Sequence, residues 1–264
     1  MVGFVTYRTH QKIIFNMKMN KFLIAIVYYE RPKVLLNALN SILDISYPEF
    51  EVHLIDDGST NRAEPIVRDV CSSIIDKFKF SYIENTIEQK KEQGGSLHGQ
   101  YLTEAIKESD ADHVIVLCDD DAIYPHFLTK LNLLINKQEN KDKNYFYHNI
   151  VLYDCLREPY TNGVERGDLS YFTNQWKVPI HCSGRVDGSQ VTYNRKRFVE
   201  DGIIYPAPQT SGLDSSSFIQ MFDKWGLAEY SKLISQVKSN NEDNLVWKDM
   251  DKNKDVIYQT KDMK

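Results

Sequence analysis

Four short, largely apolar segments, residues 22–28, 51–55, 80–83 and 114–118, alternate with segments whose apolar residues recur at helical spacing. Runs of this length, β-branched and bounded by polar residues, read as buried parallel strands. After the first run, Arg31-Pro32 opens a segment carrying Val34, Leu35, Ala38, Leu39, Ile42 and Leu43. Proline suits an early helix position because its missing N–H would have no intrahelical partner there. After the second run, Ile66, Val67, Val70, Ile74, Ile75 and Phe78 share a face behind Pro65. Leu97, Tyr101, Leu102, Ala105 and Ile106 do so behind Gly94-Gly95-Ser96, and Phe127, Leu128, Leu131, Leu134 and Ile135 behind Pro125. Strands alternating with one-faced helices admit few architectures: an α/β fold with a mainly parallel central sheet flanked by helices.

The pattern loosens after residue 121. Strands are expected at 145–153 and 188–193, a turn at Thr161-Asn162-Gly163, and a helix at 215–225 with Phe218, Ile219, Phe222 and Trp225 inward. A parallel first half and a mixed second half, sharing one continuous sheet, are therefore expected. Residues 1–20 read as a loose extension, 21–235 as a single domain divided near residue 121, and 236–264 as a polar tail that Trp247 and Tyr258 could anchor.

Composition narrows the function. A formal net charge of −5 provides no broad basic field, which argues against nucleic acid as a partner. No apolar stretch approaches the ~20 residues of a spanning helix, and the first residues lack the continuous apolar core of a signal peptide. Cys71, Cys118, Cys155 and Cys182 show no CxxC spacing, so they read as scattered thiols and suggest a reducing, cytoplasmic setting.

The strand at 114–118 runs directly into Asp119, Asp120 and Asp121, and the strand at 51–55 into Asp56-Asp57-Gly58-Ser59. In open α/β sheets, ligands bind outside the carboxyl ends of the strands. Three adjacent carboxylates repel, at a cost on the order of 4 kcal/mol per close pair at intermediate dielectric. A divalent cation, a retained proton or solvent must relieve that repulsion. Oxygen ligands favour Mg²⁺ or Mn²⁺ bound together with phosphates. A solvated acidic turn is the simpler reading of either strand end alone. Together, on neighbouring strands, they suggest a nucleoside held at one and a metal-bound diphosphate at the other.

Four segments resemble the family 2 glycosyltransferases of GT-A fold: Ile24-Ala25-Ile26-Val27-Tyr28-Tyr29-Glu30-Arg31-Pro32, Val52-His53-Leu54-Ile55-Asp56-Asp57-Gly58-Ser59-Thr60, Val116-Leu117-Cys118-Asp119-Asp120-Asp121, and Ser211-Gly212-Leu213-Asp214. The match in order and spacing covers roughly residues 22–225. The resemblance implies a Rossmann-like GT-A domain, with residues 21–121 as the nucleotide-sugar half and 122–235 as the acceptor half. It implies Val27 and Tyr28 lining the nucleoside pocket, Asp57 on the base edge, and Asp119 at the ribose or the metal. Asp120 would be the main ligand of Mn²⁺ or Mg²⁺, Asp121 a second ligand or a contact to the sugar, and Asp214 the general base. Lys90 or Lys91 would approach the diphosphate. Three positions depart from the family pattern: Cys118 stands at the first Asp of Leu-Asp-x-Asp-Asp, Glu30 at an Asn, and Leu213 at an acidic residue.

The implied reaction is an inverting transfer from a nucleoside-diphosphate sugar, a UDP sugar, to a hydroxyl on a glycan, a lipid-linked sugar or a protein. Read locally, Asp214 also suits a helix N-cap. Trp176 and His181 suit either an acceptor-lining segment or an ordinary surface loop. The alternative is a catalytically degenerate GT-A fold that binds nucleotide or glycan, for which Cys118 and Leu213 are the motive. A haloacid-dehalogenase-type phosphatase is disfavoured because Ile123 stands at its Thr/Val position, and no GxxxxGK[ST] segment supports a P-loop enzyme.

Overall fold

The structure is a computed structural model and describes residues 18–84, 86–154, 188–208 and 213–240. Within these, eight strands form a single sheet in the order β3-β2-β1-β4-β7-β6-β8-β5. The strands are β1 (Phe22–Tyr28), β2 (Phe50–Asp56), β3 (Phe78–Tyr82), β4 (His113–Cys118), β5 (Ala122–Ile123), β6 (Tyr145–Asp154), β7 (Val191–Asn194) and β8 (Glu229–Asn240). The helices are α1 (Pro32–Leu43), α2 (Ala63–Val70), α3 (Ile87–Glu92), α4 (His98–Glu108), α5 (Phe127–Ile135), α6 (Arg195–Glu200) and α7 (Leu213–Trp225). β3, β2, β1 and β4 are parallel throughout, whereas β7 runs antiparallel to both β4 and β6. The expected mainly parallel first half, mixed second half and shared sheet are all present.

β1 lies between β2 and β4, so the direction of strand progression reverses beside it. That reversal opens a crevice at the carboxyl ends of β1 and β4, the usual ligand position in such sheets. β1 is buried on both faces, as its unbroken apolar sequence requires. Phe22, Ile24, Ile26 and Tyr28 pack toward α1, α2 and α5. Leu23 and Ala25 pack toward α4, α6 and α7.

Some boundaries differ from the sequence reading. α2 ends at Val70, and Ile74 and Ile75 fall in a 3-10 segment, Ser72–Lys77, so β3 begins at Phe78 rather than at 80. The apolar spacing continues across the break, which is why it reads as one helix. α3, α6, β5 and β8 carry too few periodic apolar residues to be foreseen. β8 continues to Asn240, across the boundary expected near residue 236. Its Ser235 and Gln236 are wholly buried, with Ser235 Oγ donating to the Asn149 carbonyl at 3.2 Å and Gln236 Nε2 to that of Val116 at 3.0 Å. Buried polar side chains such as these leave no apolar run to read.

His148 ties three of these strands together. Its Nδ1 lies 2.6 Å from Ser231 Oγ on β8, and its Nε2 2.9 Å from Thr192 Oγ1 on β7. Complete burial pushes its pKa down from 6.5 to about 3. Between those values the unfolded chain holds one more proton than the folded one, so this contribution to stability is full above 6.5 and is lost as pH falls. His148→Gln is therefore expected to reduce the pH dependence of the urea midpoint between pH 6 and 4 by about one proton's worth. An unchanged slope would show that His148 does not carry it.

Candidate active site at the carboxyl ends of the parallel strands

The turn after β4 sorts the acidic triplet into two groups. The Asp121 N–H donates to the Cys118 carbonyl at 3.2 Å, folding the chain back on itself. Ligand atoms of Cys118, Asp120 and Asp121 then lie within 4.8 Å of one another. All three aspartates are buried, with relative exposures of 2%, 5% and 0% in chain order. They are not the solvated turn that the sequence also allowed.

Asp119 belongs to a different contact. The guanidinium of Arg31, from the end of β1, grips both Asp119 carboxylate oxygens, Nε at 3.3 Å from Oδ2 and Nη2 on Oδ1. Its Nη1 reaches Asp120 Oδ2 at 2.9 Å. Burial drives the Asp119 carboxyl up to about 6, aided by the neighbouring Asp120 charge, while Arg31 pulls it back toward ionisation. Adjacent β1 and β4 ends thus place one cation across two of three crowded carboxylates. Sequence inspection missed this partner. The available signal was an Arg three residues past β1, but its use required knowing that β1 and β4 are neighbours.

Glu30 accounts for how Arg31 is aimed. It adopts a left-handed backbone, φ 52°, uncommon for a residue other than Gly, Asn or Asp. Its N–H donates to Ser59 Oγ at 3.0 Å, and its carboxylate accepts from Thr60 N and from Asn61 N at 3.3 Å and Nδ2 at 3.1 Å. Those backbone donors hold its carboxyl below the usual range. The loop after β1 is therefore braced against the loop after β2.

The two aspartates after β2 divide their work similarly. Asp56 accepts from Ser59 N and Ala63 N, both at 2.9 Å, and so secures the turn and the start of α2. Asp57 faces the other way. Its Oδ2 receives Ser96 Oγ at 2.7 Å and Lys90 Nζ at 3.0 Å. Its Oδ1 is buried and has no hydrogen-bond partner among the described residues. A buried carboxylate oxygen left so is costly unless a donor arrives, and an incoming N–H is the group it fits. Beside it, a cleft of ≈ 600 Å³ is walled by Tyr29, Glu30, Gly58, Thr60, Arg62 and Tyr82, among others.

The remaining expected residues are placed as follows. Val27 is half-buried against the α4 side of the sheet. Tyr28 is wholly buried on the α1 side, its hydroxyl donating to the Asn61 carbonyl at 2.8 Å, so it meets the crevice through its backbone. Lys90 binds Asp57, through the carboxylate and through the main-chain carbonyl at 2.6 Å, and its Nζ lies 3.9 Å from the Tyr29 ring centre. His98 packs onto Ser96 Oγ at 2.7 Å. Asp214 lies in the first turn of α7. That helix is seated by Phe218 and Met221 in the core and by Trp225 Nε1 donating to Asp201 at 2.7 Å. Trp176, His181 and the expected turn at 161–163 lie outside the described residues.

Removing the Arg31 charge leaves Asp119 buried beside Asp120. Breaking a buried pair costs ~3–5 kcal/mol, less here because Arg31 is about a quarter exposed and Asp119 can take up a proton. Arg31→Met is expected to lose about 2 kcal/mol and on the order of 5 °C in unfolding midpoint. An unchanged midpoint would mean that the pair contributes nothing.

Residues 23–196 match the sequence family described as Glycosyl transferase family 2. An uncharacterized glycosyltransferase of Rickettsia conorii is 28% identical over 202 residues, 72% of this chain and 30% of its own length. The hyaluronan synthase of Streptococcus pyogenes is 30% identical over 105 residues, 39% of this chain and 24% of its own. The chain thus spans less than a third of the length of these relatives. Among solved structures, S. aureus TarS (residues 1–349) in complex with UDP-GlcNAc superposes with a TM-score of 0.64 at 19% identity, covering 85% of this chain and 60% of that one. The mannosyltransferase PcManGT from Pyrobaculum calidifontis, in complex with GDP-Man and Mn²⁺, gives 0.59 at 12% identity, covering 98% and 72%. These likenesses show a shared GT-A fold.

Proposed function

The chain belongs to glycosyltransferase family 2, and we propose that it moves a sugar from a nucleoside-diphosphate donor, a UDP sugar, to a hydroxyl acceptor with inversion of configuration. One observation carries the reading: the convergent Cys118, Asp120 and Asp121 ligand atoms and the Asp57 Oδ1, which has no partner among the described residues, follow the carboxyl ends of parallel strands on either side of β1. The donor set suits a divalent ion, and the orphan oxygen suits the imide N–H of a pyrimidine base. The fold neighbours' complexes with UDP-GlcNAc and GDP-Man support a nucleotide sugar as the donor class.

In this reading Asp57 accepts from the base, with Lys90 and Ser96 fixing its carboxylate. The backbone of Val27 and Tyr28 borders the nucleoside. Asp119, held by Arg31, would face the ribose. Asp120 and Asp121 would hold Mn²⁺ or Mg²⁺, which when bound stabilises negative charge on the leaving diphosphate. Asp214 accepts the proton of the acceptor hydroxyl as it attacks the anomeric carbon. A single base and a direct attack invert the configuration there, by the same logic as inverting glycosidases.

Calorimetric titration of UDP and, separately, GDP with and without Mn²⁺ tests this reading. UDP binding strengthened by Mn²⁺ is expected. A GDP preference would keep the fold and change the donor class. No ion-dependent binding of either nucleotide would overturn the assignment of the site.

A further inference from the structure

We propose that the divalent ion at this site is held by one thiolate and two carboxylates, from Cys118, Asp120 and Asp121, and that the site therefore selects a thiophilic ion over Mg²⁺. The inference rests on the reading above that a metal assists transfer here.

The geometry separates this set from the triplet suggested by sequence. Donor atoms around one ion, each ~2.0–2.3 Å from it, lie no more than ~4.6 Å apart. The Cys118, Asp120 and Asp121 atoms all lie within 4.8 Å of one another, a bound slightly beyond that spacing. Asp119 is not in the set, because Arg31 holds both its oxygens. The partly exposed Cys118 ends β4 in register with Val27 of β1, on the face of the sheet opposite the core that buries Cys71.

The chemistry follows from the ligand type. Mg²⁺ requires near-octahedral oxygen ligation. A thiolate is soft and favours later first-row ions. Binding forms a metal–sulfur bond and breaks the S–H bond, with the thiol proton released to solvent. Two carboxylates and one thiolate supply the same negative charge as three carboxylates, so attraction for a divalent ion is preserved while its selectivity moves.

Cobalt reports on the ligand directly. CoCl₂ added to the full chain is expected to give a near-ultraviolet thiolate-to-cobalt charge-transfer band that Cys118→Ser lacks. In parallel calorimetry, CoCl₂ is expected to strengthen UDP binding at least tenfold more than MgCl₂ does, and Cys118→Asp to narrow that gap. A cobalt complex without the band, or with a band that survives in Cys118→Ser, overturns the proposal. Equal enhancement by Mg²⁺ and Co²⁺ overturns it too, while leaving the donor-site reading intact. UDP binding indifferent to every ion overturns that reading, and this proposal with it.

Discussion

Asp120→Asn is expected to abolish the Mn²⁺ enhancement of UDP binding and to lower turnover by at least about a thousandfold, some 4 kcal/mol of barrier. The substitution preserves shape and keeps one carbonyl oxygen at the convergence of Cys118, Asp120 and Asp121, but it removes the charge that draws an ion there. Stability should change little by comparison. Asp119 keeps its contacts to Arg31, and the Asn side chain relieves part of the repulsion between adjacent buried carboxylates. Asp120→Asn and Arg31→Met thus separate two effects of one cluster, the first on ion binding and the second on folding. Calorimetry with Mn²⁺ and an unfolding curve for each variant check this. Retained Mn²⁺ enhancement in Asp120→Asn would remove Asp120 from the ligand set.

The parallel half of the fold was legible because its central strands β1 and β4 are buried on both faces and are therefore almost continuously apolar. The mixed half was not, because β8 and β6 bury polar groups, Ser231, Ser235, Gln236 and His148, whose partners lie on other strands. Such pairings are long-range and leave no local period. The two acidic strand ends were legible for a related reason: ionisable residues directly after an apolar strand are conspicuous, whatever the strand order. Their division of labour was not. Whether Asp56 or Asp57 faces a ligand depends on which one meets the first N–H groups of α2. Tyr28 was readable in principle, since it shares the parity of Ile24 and Ile26 on β1 and must point with them into the α1 side of the core. The family's Asn at position 30 also had a physical meaning open to sequence reading, because Asn tolerates a left-handed backbone. Glu30 reaches the same conformation by bonding its longer side chain across to Thr60 and Asn61, so this departure preserves the loop that presents Arg31.

Asp214→Asn is expected to leave the dissociation constant of UDP in Mn²⁺ within about twofold of wild type while turnover falls by about 10²–10⁴, the range that a positioned general base contributes. The distinction follows from position in the fold. The donor contacts proposed for Asp57, Asp120 and Asp121 come from loops at the ends of β2 and β4, whereas Asp214 comes from α7, which packs on the opposite core from α1 and α2. A base on that helix acts only when an acceptor hydroxyl is present, so its loss belongs to the chemical step and not to donor binding. The helix should remain seated, because Phe218, Met221 and the Trp225–Asp201 hydrogen bond hold it downstream of the substitution. Single-turnover transfer measured beside UDP calorimetry gives both quantities. Turnover that survives Asp214→Asn would place the base elsewhere. Metal-dependent UDP binding with no transfer by the unaltered chain, across a panel of UDP sugars and acceptors, would favour a fold kept for binding alone.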